Sequence, residues 1–190
     1  MKTKLLMLTM AVACTFAGNA MSMTKDEYTA EKTRVSSDYK SNKDKCSAMK
    51  ANAKDICMAE AKGTDKVAKA EMEAAYKPSA KNTRDVAMAK GDAVYNVAKE
   101  KCDDLTANAK DVCVKDAKAV HTKAKEDAKV AMVSSDTTTN KSEKVGEAKK
   151  DAAEEKTEAN YKAARERCDS MTGAAKDTCQ NDAKVKFGMK

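Results

Sequence analysis

One cysteine frame occurs three times in this chain, and it constrains the fold more than any other feature. Each copy reads Tyr-x6-Cys-x10-Cys followed, after three intervening residues, by Ala-Lys: Tyr39, Cys46, Cys57; Tyr95, Cys102, Cys113; Tyr161, Cys168, Cys179. The second cysteine always follows Ala-Lys-Asp-x, which places Asp55, Asp111 and Asp177 in the frame. A frame this long, repeated in tandem, marks an array of one supersecondary unit.

The spacing dictates a chain reversal. Two cysteines eleven positions apart on one unbroken helix share a face but lie about 16 Å apart. A disulfide needs Cα atoms within about 7 Å. Bonding within a unit therefore requires a turn between the cysteines, which predicts a helical hairpin. Asn52 and Asn108, each three residues before an acid, are expected to cap the second helix of their units. The third unit lacks the Asn and carries Gly173 one position earlier as turn or cap. Tyr39, Tyr95 and Tyr161 should cover the seam between paired helices. Met49, Leu105 and Met171 should fill the space beneath each turn. The third hairpin, with no Asn and with Thr178 where the others have Ile56 and Val112, is expected to be the weakest.

Compartment and pairing support each other. Residues 1–20 read as an export signal: Lys2 and Lys4, an apolar stretch from Leu5 to Phe16, then small residues ending at Ala20. The apolar stretch is too short for a transmembrane span, which needs about 20 residues. Ala11-Val12-Ala13-Cys14 also resembles a lipobox, so a lipid anchor at Cys14 is the alternative to cleavage after Ala20. Cleavage removes Cys14 and leaves an even set of six, as expected of an oxidised chain in the periplasm or outside the cell. Six cysteines allow 15 pairings, and the repeat favours Cys46–Cys57, Cys102–Cys113 and Cys168–Cys179.

Beyond the signal the chain holds little core material: one Leu, one Ile, one Phe and no Trp, with much of its apolar fraction supplied by Ala. A large globular core is excluded; long thin helices of Ala, Lys, Glu and Met are favoured instead. The expected fold is all-α, three tandem disulfide-stapled αα-hairpins, elongated or loosely bundled. Thr24-x-x-Glu27 is a capping box for the first helix, expected to run to about Ala51, and Pro78 with Ser79 separates the second from the third. The implied organisation is hairpin one over 21–77, hairpin two over 78–133, a polar linker at 134–140 and hairpin three over 141–190. Gly63, Gly91 and Gly146 inside helical spans are read as kinks or breaks.

Catalytic chemistry finds no foothold. His121 is the only histidine and is read as a solvated surface residue, so neither a Ser-His-Asp nor a Cys-His arrangement can be assembled. No phosphate-binding glycine loop, His-rich metal motif or Cys-x-x-Cys redox motif occurs. The formal charge of +7 falls to +5 when Lys2 and Lys4 leave. Its lysines are interleaved with Asp and Glu, which reads as a solvated surface and not a nucleic-acid site.

Compositionally the chain is similar to late-embryogenesis-abundant stress proteins. Its Tyr-x6-Cys-x10-Cys repeats with Ala-Lys-Asp before the second Cys resemble uncharacterised exported helical proteins of proteobacteria, some labelled TolA-like or cell-envelope. That resemblance implies an envelope location and no established activity. The expectation is a non-enzymatic periplasmic or cell-envelope protein, without cofactor, with a structural, stress-protective or partner-binding role. An envelope protein or a second copy of the chain would be its partner. The alternative is a soft-metal (copper) or thiol-redox protein using Cys with Met49, Met58, Met72, Met88 and Met171.

Overall fold

A computed structural model describes residues 22–135 and 140–189 of the chain. The expected export signal, its cleavage site and Cys14 lie outside the described residues, as does most of the 134–140 linker. Among the described residues there are six α-helices and no strand: α1 (Lys25–Ser47), α2 (Ala51–Tyr76), α3 (Ala80–Cys102), α4 (Ala107–Ser134), α5 (Lys141–Arg167) and α6 (Gly173–Phe187). A 3-10 turn, Cys168–Ser170, extends the end of α5. No helix is long and apolar enough to cross a membrane.

The helix starts are where the local chemistry puts them. Thr24 caps α1 by accepting from the Glu27 N–H, while the Glu27 carboxylate takes the Thr24 N–H at 2.8 Å, and this lowers the pKa of Glu27. Ser79 caps α3, just after Pro78 has closed α2.

The three disulfides are Cys46–Cys57, Cys102–Cys113 and Cys168–Cys179, with Cα separations of 5.5, 5.6 and 5.7 Å. They staple α1 to α2, α3 to α4 and the end of α5 to α6. Packing continues between hairpins: α2 lies on α3 and α4 on α5 at least as extensively as the stapled partners lie on each other. Each helix thus contacts mainly the helices before and after it in the chain, and the molecule is a row of antiparallel helices one layer deep. A single layer has no central core. Its buried apolar residues are Val35, Met72, the first cysteine of each pair and six alanines, spread along the seams. With so little apolar area removed from water, a staple worth about 3 kcal/mol is a large share of each hairpin's stability.

The turns correct several expectations. The first cysteine sits at the helix end: α1, expected to run to about Ala51, stops at Ser47 and α2 restarts at Ala51. In each turn the N–H of Met49, Leu105 or Met171 donates to the carbonyl of the first cysteine at 3.0 Å. Those three side chains are exposed, 45, 41 and 43%, and do not plug the hairpin; the turn is too tight to leave a space beneath it. Asn52 and Asn108 are not caps. The capping positions are Lys50 and Thr106, neither of which makes a side-chain cap bond, and the asparagines lie inside the first turn. Asp55 and Asp111 consequently fall outside the first turn, as does Asp177 in α6.

The reversal is made instead by one left-handed residue. Ala51 has φ +50°, Ala107 +49° and Gly173 +58°, all at the same repeat position. Glycine adopts this conformation at no steric cost, while an L-residue pays about 1–2 kcal/mol. The third turn is therefore the relaxed one, so the missing Asn is no ground for expecting the third hairpin to be weakest; Thr178 in place of Ile56 and Val112 is the ground that stands.

Gly63 and Gly91 mark close helix approach, not kinks. Both are buried inside continuous helices. A Cβ on Gly63 would stand 2.8 Å from the Ala93 Cβ, and one on Gly91 3.0 Å from the Ala124 Cβ. α2 can approach α3 this closely only because glycine faces alanine. Gly146 also lies within a helix, α5, with open space around it.

Candidate interaction surface

Three sets of side chains repeat along the row and define what it can offer. The first is the stapled end, where all three turns lie because successive helices alternate in direction. There the lysine of each Ala-Lys-Asp triplet finds a use in two units: Lys110 reaches Asp103 at 3.1 Å and Lys176 reaches Asp169 at 2.8 Å. The second bond lowers the pKa of Asp169. In the first unit Ser47 occupies the corresponding position. Asn52 reaches out of its own hairpin, its Nδ2 donating to the Glu100 carbonyl at 2.7 Å near the end of α3. Asn108 is half-buried at the equivalent place in the second unit, and the last unit, which has no following hairpin, carries Ala174 there.

The second set is the motif tyrosines, all half-buried on the seams as their spacing implied. Tyr95 stacks on His121 with ring centroids 4.6 Å apart, and Tyr161 meets Phe187 edge-on at 6.4 Å. His121 and Phe187 each stand eight residues after the second cysteine. His121 is therefore not a solvated surface residue: its side chain is 18% exposed and its Nε2 lies 2.5 Å from Asp92 Oδ1. The repeat register could have found this, since it aligns His121 with an aromatic residue. In the first hairpin the position belongs to Asp65, whose Oδ1 is buried without a partner, and Tyr39 instead lies under the Lys43 ammonium. Another aromatic pair, Tyr28 on Tyr76 at 4.5 Å, closes the far end of this hairpin. Burial and the neighbouring Glu73 carboxylate push the Tyr28 hydroxyl pKa up.

The third set is a groove the sequence reading did not anticipate. α2 and α3 leave a trough of about 600 Å³ along one side of their seam, floored by Gly63 and Ala93 and walled by Val67, Val94 and Val97. Val94 is 60% exposed, and on α4 Val120 is 58% exposed. The trough exists because small residues bring the helix axes together while valines stand up on either side.

The cysteines are joined in pairs, and among the described residues no three His, Cys, Asp or Glu side chains converge as a metal cage. Apart from Glu27 at its cap, the carboxylates with lowered pKa values serve ion pairs between neighbouring side chains, such as Asp127, held by hydrogen bonds from Lys123 and Lys156. What the arrangement presents is surface: two broad helical faces and one stapled end. Comparisons with protein-family models, curated proteins and solved structures give no match to this chain.

Proposed function

We propose that this chain is an exported, non-enzymatic helical scaffold of the periplasm or cell envelope, whose task is to present its flat faces to a partner. The observation that carries this reading is the one-layer row. A fold that buries mostly alanine and cystine gives up the stability of a core, yet leaves both sides of its helices open to contact. Disulfides suit an oxidising compartment, and they hold that open arrangement rigid where a core is missing. The valine-walled trough between α2 and α3 is the kind of apolar feature that interaction surfaces carry. The pairing of the cysteines favours this reading over the soft-metal or thiol-redox alternative, since a bonded cysteine offers no thiolate to a metal.

A photo-cross-linking residue introduced at Val94 in the native host tests the proposal. The expected result is mature protein in the exported fraction, without free thiols, joined to a discrete adduct. Protein retained in the cell interior with free thiols, or exported protein that forms no adduct, overturns it.

A further inference from the structure

The lysines that interleave with acids in the sequence are sorted by the fold onto different sides of the row. On α1, Lys25, Lys32 and Lys43 each stand three residues before a seam residue: Tyr28, Val35 and Cys46. At 3.6 residues per turn they form one ridge about 27 Å long. On α2, Lys62 and Lys66 border a hollow of about 330 Å³ with Met58, Asn96 and the acids Asp55 and Glu100, on the opposite side of the α2–α3 seam from the valine trough. Tyr76, two heptads after Lys62, puts its ring on Tyr28 and so joins this side of α2 to the lysine ridge of α1. On α3 the same side carries Asp92, four residues before Asn96; its contact with His121 places Lys118 and Lys125 of α4 there as well.

The charges on this face are only partly compensated. Among the described residues none of Lys25, Lys32, Lys62, Lys66, Lys118 and Lys125 forms an ion pair; Asp55 and Glu100 beside Lys62 and Lys66 offset part of their charge, while other acids on this side are engaged elsewhere. Asp85 is held by Lys81 and Arg84, Asp92 by His121, and Glu73 by Tyr28. The field ends at α5, where Glu155 and Glu158 stand beside Lys115 and Lys118. The opposite side of the first hairpin carries Glu27, Glu31 and Asp38 on α1, the last two paired with Arg34, and Glu60 and Glu71 on α2, the latter paired with Lys90.

We infer that the lysine face docks on an anionic lipid surface. A row of helices spaced about 8–10 Å apart spreads its cations over a plane and forms no pocket, which matches a plane of headgroup charge better than a compact ligand. The cations are point-charge ammoniums and not the guanidinium forks that read bases, and no exposed aromatic lies among them for a base to stack on. This inference rests on the scaffold reading and names the partner of one of its faces.

The test uses the full mature, oxidised protein with vesicles of phosphatidylglycerol and phosphatidylethanolamine, and with phosphatidylcholine vesicles as the neutral reference. One variant reverses the lysine face, Lys32→Glu with Lys62→Glu and Lys66→Glu. A control of equal net charge reverses the other side, Lys45→Glu with Lys101→Glu and Lys149→Glu, and both are checked for unchanged helical circular dichroism. We expect binding to anionic vesicles only, released by salt, and weakened by the first variant at least about tenfold, each surface lysine being worth about fivefold. The control should stay within about threefold of the parent. Absence of binding to anionic vesicles, equal loss in both variants, or duplex DNA displacing the vesicles at matched phosphate concentration overturns the inference. None of these outcomes affects the Val94 cross-link, so the two readings fail separately.

Discussion

The left-handed turn residue permits a substitution test in which the same exchange has opposite signs at equivalent sites. Ala51 and Ala107 hold φ near +50° where Gly173 holds +58°. An alanine in this region costs about 1–2 kcal/mol, and part of that returns on replacement, because glycine adds about 0.4–1 kcal/mol of unfolded-chain entropy. Ala51→Gly and Ala107→Gly should therefore each stabilise the protein by about 0.5–1 kcal/mol. Gly173→Ala should destabilise it by a similar amount, since space is open around Gly173 and only the backbone objects. For a chain of this size 1 kcal/mol moves Tm by about 2–4 °C. Differential scanning calorimetry of the oxidised protein reads the shift, and native-state hydrogen exchange assigns it to the hairpin changed. If Ala51→Gly lowers Tm, or Gly173→Ala leaves it unchanged, the turn reasoning is wrong.

Three other perturbations test the seams. Gly63→Ala should destabilise by about 1–3 kcal/mol despite the better helix propensity of alanine, because its Cβ would meet that of Ala93 at 2.8 Å; chemical denaturation measures it. Asn52→Ala should cost about 1 kcal/mol by removing the bond between hairpins and leaving the Glu100 carbonyl only the Asp103 N–H, and hydrogen exchange should rise at the end of α3, in the other hairpin. Hydrogen bonds from Lys123 and Lys156 hold the pKa of Asp127 below its ordinary value, so the stability it adds is present above the usual carboxylate range and is lost as pH falls through the lowered native value. Melting curves between pH 7 and pH 2 should accordingly show a smaller acid-side decline for Asp127→Asn than for the parent.

The array was legible because the sequence states it three times. Cysteines eleven apart forced the reversal, the tyrosine-to-cysteine spacing put the rings on the seam, and Pro78 marked the break between hairpins. What could not be read depends on a second helix or on backbone geometry. Asn52 looks like a cap from its neighbours, but its partner is 48 residues away. Ala51 gives no sign of a left-handed turn until Gly173 is aligned with it. Gly63 reads as a helix breaker unless Ala93 is known to press against it. His121 looks solvated on a lysine-rich helix unless the repeat register is used to align it with Phe187, and the ring of Tyr95 and the Asp92 carboxylate, both from α3, show otherwise. The gathering of lysines on one face was likewise hidden, since interleaved Lys and Glu separate only once each helix has a seam to orient it.

The central claim is that staples and narrow alanine seams do the work of a core. Thermal unfolding after complete reduction, followed by circular dichroism with the thiols blocked, tests it most directly. Each closed loop constrains the unfolded chain by about 3 kcal/mol, and helices freed from their partners are marginal in water. The reduced protein should melt at a lower temperature over a broad range, with part of its helical signal retained at the outset. A reduced protein that keeps the midpoint and sharpness of the oxidised one would contradict the account, because its cooperativity would have to come from packing that these seams do not contain.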